Sequence, residues 1–170
     1  MKLSKVWIAS AIIVLVIVID QAIKIWVKTG MYWGEDIEIF SWFHIRFVQN
    51  NGMAFGMEFG SKLFLTLFRI VAVGVLGWII SRLCKSDIYP KGFVACVALI
   101  AAGAAGNIFD CVFYGEIFTN PYPPEIASFV PWGEGYGTIF HGLVVDMFYF
   151  PLFTFQWPEW MPFLSGKTFS

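Results

Sequence analysis

Two short stretches carry the residues whose types and spacing suit chemistry. Gly103 to Asp110, GAAGNIFD, places an amide and a carboxylate, Asn107 and Asp110, inside an apolar run long enough to cross a bilayer. His141 to Phe148, HGLVVDMF, places Asp146 directly after Val144 and Val145, with aromatic residues following. Asp20 and Lys24 interrupt the first apolar segment, one helical turn apart and so on one face. A charge at membrane depth is costly unless paired, hydrated or needed, so each of these is a functional-site hypothesis. Two carboxyls brought close cannot both ionise cheaply; they share a proton and their pKa values separate, which suits acid–base work. Each residue also has a plainer reading. Asp146 would cap a turn, Asp110 would bond Asn107 three residues back and steady a helix end, and Asp20 with Lys24 would neutralise each other in helix packing. Asn50, in Gln49-Asn50-Asn51-Gly52, would form a turn, since Asn51-Gly52 accepts positive φ.

The elements that must hold these residues are membrane helices. Of 170 residues, 58% are hydrophobic, 19% aromatic and only 14% charged, well beyond a soluble domain and consistent with lipid as the solvent. A mean hydropathy of +0.71 agrees. Net charge is −1, so no basic surface is available to neutralise phosphates and a nucleic-acid partner is not expected. Cys84, Cys96 and Cys111 are odd in number and lack metal-ligand spacing, which makes them small apolar fillers. No metal or cofactor is expected. His44 and His141 read as surface or interface histidines. There is no nucleophile elbow and no Ser/His/Asp order.

Three spans are expected, over about 7–27, 63–83 and 93–114, as one membrane domain. Residues 28–62 read as an extramembrane loop with short strands and a turn at Gln49 to Gly56. The small residues Ala101 to Gly106 allow close approach of another helix. Arg69 is expected to snorkel or find a partner near one end of its span. Residues 116–140, with four prolines and three glycines among them, read as an irregular loop, and 115–170 as an extramembrane insertion and tail. Trp157 and Trp160 suit a membrane interface. Lys2, Lys5, Arg82, Lys85 and Lys91 assign the N-terminus and the second connection to the cytoplasmic side. Asp20, Lys24, Asn107 and Asp110 then gather near the opposite surface.

The order Asp20-Gln21 with Lys24, Asn50-Asn51-Gly52-Met53-Ala54-Phe55-Gly56, Gly103 to Asp110, and Val144-Val145-Asp146-Met147-Phe148 resembles the lipoprotein signal peptidases (type II signal peptidases). The resemblance covers about Asp20 to Phe148. It implies an all-α polytopic bundle, four helices in the full family fold, with a small periplasmic β-cradle. It also implies an aspartic endopeptidase of the bacterial inner membrane that cuts N-terminal to a cysteine bearing a diacylglyceryl group. Its partners would be prolipoproteins and membrane lipids, with cyclic-peptide inhibitors such as globomycin as further ligands. On this resemblance Asp146 is catalytic, while Asp20, Lys24, Asn50, Gly52, Asn107 and Asp110 bind substrate or support the site. The active site would face the periplasm.

Three departures from the family pattern stand out. Cys111 follows Asp110 where the family has arginine, removing a guanidinium that would orient carboxylates or bind carbonyls. The interval from Asp110 to Asp146 is long, so 116–140 reads as an insertion. The Asn-x-Ala-Asp motif that supplies the family's second aspartate at the start of its fourth span does not occur, and the chain reads as truncated before it. A different class of function, a non-catalytic scaffold or small-solute permeation protein using buried charges for packing, is the alternative.

Overall fold

The computed structural model describes residues 4–50 and 62–151, together with the backbone of 155–156 and 168–169. Three long helices dominate: α1 (Lys5–Gly30), α2 (Lys62–Lys85) and α3 (Lys91–Phe109). α1 starts where the Ser4 hydroxyl accepts a bond from Trp7 N, satisfying one orphan donor. It ends at Met31, whose N–H bonds Val27 O. α3 does not stop at Asp110. It widens into a π-helical turn, Asp110–Tyr114, and closes with the short α4, Gly115–Ile117. Counted through that turn, Lys91–Ile117 is the third helix long and apolar enough to cross a membrane, with Lys5–Gly30 and Phe64–Lys85.

The helix faces are sorted by solvent. Trp7, Val14, Leu15 and Val18 of α1, and Phe64, Phe68, Val71 and Trp78 of α2, are exposed apolar side chains, as lipid requires. Inside, Ala9, Ile80, Leu83, Val94, Ala98 and Ala101 pack near the Lys5 end. There Lys5 Nζ also donates to Ser86 O, tying α1 to the α2–α3 connection. The run of small residues brings α1 and α3 together; a Cβ on Gly106 would meet Asp20 Oδ2 at 2.5 Å.

A three-stranded antiparallel sheet, order β1-β2-β3, caps the other end of the bundle. β1 is Asp36–Phe40, β2 Phe43–Asn50 and β3 Val144–Tyr149. In β3 the side chains alternate: Val145 and Met147 are buried, Asp146 and Phe148 exposed. The buried pair joins Val27, Met31, Phe47, Tyr114 and Phe118 in a second core. β4 (Phe155–Gln156) and β5 (Thr168–Phe169) form a separate two-stranded ribbon.

Two expectations need correction. Asn50 is no turn former: it is the last residue of β2, paired with Val144, and Asp146 likewise lies in a strand rather than capping a turn. The second strand partner is almost a hundred residues away, beyond the reach of local pattern. Gly52 and the rest of Asn51 to Gly56, and Trp157 and Trp160, lie outside the described residues.

Candidate active site

The centre of the site is a buried charge cluster contributed by the inner face of α1. Gln21, Lys24, Val27, Lys28 and Met31 are all buried and recur at helical spacing, so that face carries polar and charged groups among apolar ones. Lys24 has three ammonium protons and meets three acceptors. They are Asp20 Oδ2 at 3.1 Å, Asn107 Oδ1 at 2.9 Å and Asp110 Oδ2 at 2.8 Å. Asn107 and Asp110 therefore meet at Lys24, not through the mutual side-chain bond expected from their spacing.

Asp110 is wholly buried. Its Oδ1 accepts from Gln21 Nε2 at 2.9 Å, and its Oδ2 accepts from Lys24 and from Val145 N at 3.1 Å. The last bond crosses from α3 to β3, one residue before Asp146. Gln21 also reaches Asp20 Oδ2 and Gly106 O, at 3.0 and 3.2 Å. Its Oε1 accepts from the Tyr114 hydroxyl at 2.9 Å, which settles the amide orientation. Tyr114 comes within reach because the π turn rotates it inward; such turns recur at functional sites.

Asp146 sits on the accessible side of this cluster. It pairs with Val48 across β2–β3, next to a register shift between Ile45 and Val48. Asn50 lies two residues beyond Val48 on the same face, and its Nδ2 donates to Asp146 Oδ2. The residue is open to water on one side yet ringed by protein on the others. That partial burial pushes its pKa up, opposed by the Lys24 and Arg69 charges and assisted by Asp20. Arg69 has found a partner: Nη1 donates to Cys111 Sγ at 3.6 Å.

Lys28, Gln21, Gln49 and Tyr114 were not among the site residues read from the sequence. Lys28 is fully buried, donates to Gln49 Oε1 at 3.1 Å and lies 5.1–5.8 Å from the ring centroids of Phe47, Phe118 and Tyr136. Gln49 passes the chain on to Asn120 Oδ1 at 2.8 Å. Burial pushes the Tyr136 hydroxyl up to about 12, so the cage stays neutral, and that oxygen accepts from Leu143 N at 2.6 Å. A signal for Lys28 and Gln21 did exist: both share the helical face of Lys24. Nothing in the sequence announces the π turn that recruits Tyr114.

His44 bonds Asp36 Oδ1 across β1–β2 at 2.8 Å, and His141 contacts Thr138 and Ile139 O. Among the described residues no three His, Cys, Asp or Glu side chains gather as a metal-holding group.

Three apolar helices carrying a buried charge cluster beneath a sheet-borne carboxylate define a polytopic membrane protein, and the fold matches that of a membrane enzyme. A bacterial membrane enzyme solved by the in meso method at 2.3 Å superposes with a TM-score of 0.59 at 24% identity, over 88% of this chain and 74% of that one. A second such structure at 1.9 Å gives 0.58 at 22% identity, over 88% and 78%. The family follows from sequence. Residues 12–163 match the model described as Signal peptidase (SPase) II. A lipoprotein signal peptidase of Porphyromonas gingivalis is 51% identical over 162 residues, 95% of this chain and 71% of the relative. One of Amoebophilus asiaticus is 37% identical over 169 residues, 95% and 67%. The chain belongs to the signal peptidase II family and is a bacterial membrane protein.

Proposed function

We propose that the protein is an endopeptidase that removes the signal peptide from diacylglyceryl-modified prolipoproteins, cutting N-terminal to the lipidated cysteine, with Asp146 as one of two catalytic carboxylates. Family membership supports the substrate class. The observation that carries the mechanism is the contrast between the two site carboxylates. Asp110 is sealed and takes bonds from Gln21, Lys24 and Val145, whereas Asp146 is accessible and held on a strand beside Asn50.

In this reading one carboxylate takes a proton from water as the water oxygen attacks the scissile carbonyl carbon. The other carboxyl gives its proton to the departing amine as the C–N bond breaks. The products are the signal peptide's carboxylate and the free amine of the lipidated cysteine. The second carboxylate is assigned to the family's Asn-x-Ala-Asp motif, which does not occur within these 170 residues. Asp110 and Lys24 act as scaffold, tying α1 and α3 to the strand that carries Asp146. The diacylglyceryl group would lie in lipid, and a cyclic peptide such as globomycin would compete for the same space. Orientation follows positive charge: N-terminus in the cytoplasm of a bacterium's inner membrane, sheet and site in the periplasm. Nothing in the structure favours the scaffold or permeation alternative.

The test is cleavage of a fluorogenic lipobox peptide bearing a diacylglyceryl cysteine. It compares the wild-type protein with Asp146→Asn in the same background. Asp146→Asn is expected to lose cleavage by about 10²-fold or more while keeping its fold. A variant that still cuts at the wild-type rate ends the Asp146 assignment.

A further inference from the structure

Lys28 is a buried charge with no part in the proposed reaction. It lies in the α1 span and is fully buried, and a cation there is costly enough to need a reason. Among the described residues no carboxylate stands within ion-pair distance of it. Its ammonium meets Gln49 Oε1 at 3.1 Å and lies over the rings of Phe47, Phe118 and Tyr136. Those rings come from β2, from the residue after α4 and from the loop before β3, so one lysine of α1 gathers three other segments of the chain. Gln49 is fixed from its other side as well, its Nε2 donating to Asn120 Oδ1 at 2.8 Å.

The position of Gln49 gives this arrangement its meaning. Gln49 pairs with Val145 across β2–β3, and each of the two precedes a site residue in the chain, Asn50 and Asp146. Side chains alternate along a strand, so Gln49 reaches into the bundle while Asn50 reaches Asp146. Val145 is tied to the helices through its N–H, by Asp110 of α3 at 3.1 Å. Gln49 is tied to them through its amide oxygen, by Lys28 of α1. Two buried charged groups thus anchor the two strands at one rung, directly beside the site.

We propose that Lys28 is a positioning residue for Asp146: caged by three rings, its ammonium holds the Gln49 side chain and so fixes the end of β2 that presents Asn50 to the site carboxylate. This rests on the assignment of Asp146 as a reacting group. A cation suits the task better than a neutral donor. The ring faces attract it from three segments, so its place is set independently of Gln49, and its charge strengthens the bond it gives to the amide oxygen. With both strands anchored, Asn50 Nδ2 stays on Asp146 Oδ2 while Asp146 remains open on its other side.

The experiment compares the wild type, Lys28→Met and the double variant Lys28→Met with Gln49→Leu. It measures kcat and KM for the lipobox peptide, the melting temperature, and the Asn50 side-chain amide resonances by NMR in detergent. Lys28→Met strands the Gln49 oxygen and should lower the melting temperature. It is expected to lower kcat by about tenfold or more with KM within about twofold of the wild type, and to displace the Asn50 resonances. The double variant removes both partners of the bond, which leaves no stranded group and should return the melting temperature toward the wild type. Its kcat should stay low and its Asn50 resonances displaced, because the anchor is still missing. A double variant that recovers kcat along with stability shows a merely structural role and overturns the proposal. So do Asn50 resonances that stay in place in either folded variant. Should Lys28→Met not fold, the double variant decides alone. If the wild type does not cleave, the peptidase reading fails by itself, and the Asn50 resonances still decide whether Lys28 governs the end of β2.

Discussion

Lys24 spends all three of its ammonium protons on side chains of α1 and α3, and this makes it the residue on which the site's packing depends. Removing it strands Asp110 with no cation in contact and Asp20 without its pair. Lys24→Met is therefore expected to destabilise the protein by about 3–5 kcal/mol, since breaking a buried pair leaves an uncompensated charge. Thermal unfolding in detergent would measure this, and adding Asp110→Asn in the same background should restore part of the loss. If the single variant melts like the wild type, the cluster is not holding the helices. At this scale the sequence was legible where spacing is local. Asp20 and Lys24, four apart, meet as a pair, but that Lys24 also bridges Asn107 and Asp110 depends on how α1 lies against α3.

The elements explain how the long segment between α4 and β3 leaves the site undisturbed. After α4 the chain makes an excursion that closes on itself. Gly137 N bonds Gly115 O at 2.9 Å, and Gly142 N bonds Cys111 O at 2.9 Å. Glu116 holds the interior, its carboxylate accepting from Ile139 N at 2.7 Å and its carbonyl from Gly133 N and Gly135 N. Because the two ends are adjacent, length inside the loop costs little and β3 starts from the same place. Gly142 is one point where the return is tight, for a Cβ there would lie 2.1 Å from Asp110 O, a backbone atom with no freedom to yield. Gly142→Ala is expected to lower the melting temperature and reduce cleavage severely. Gly103→Ala has open space around it and should be tolerated, with helix propensity favouring alanine by about 1 kcal/mol. Equal effects from the two would refute this account of the loop closure. Prolines and glycines marked residues 116–140 as irregular, but not as closed, because closure is made by backbone bonds between residues far apart.

For the molecule as a whole, the proposed orientation makes a prediction about access. With Cys84 and Cys96 replaced, a membrane-impermeant maleimide should label Tyr122→Cys in intact spheroplasts and Ser86→Cys only after permeabilisation. The reverse pattern would place the sheet and the site on the cytoplasmic side. Tyr122 is 84% exposed, so failure to label it could not be blamed on burial. The sequence by itself determined the solvent, the three apolar helices, the strands after α1, and the family. Each of these follows from composition, from periodicity or from motifs of a few residues. Only the tertiary structure decided that Asp146 stands on a strand beside Asn50, that Lys28 is caged by three aromatic rings, that a π turn brings Tyr114 to Gln21, and that Arg69 reaches Cys111. Asn50 and Asp146 are 96 positions apart and Arg69 and Cys111 are 42 apart, while Tyr114 depends on a local helix distortion. No local pattern encodes the packing that makes such contacts.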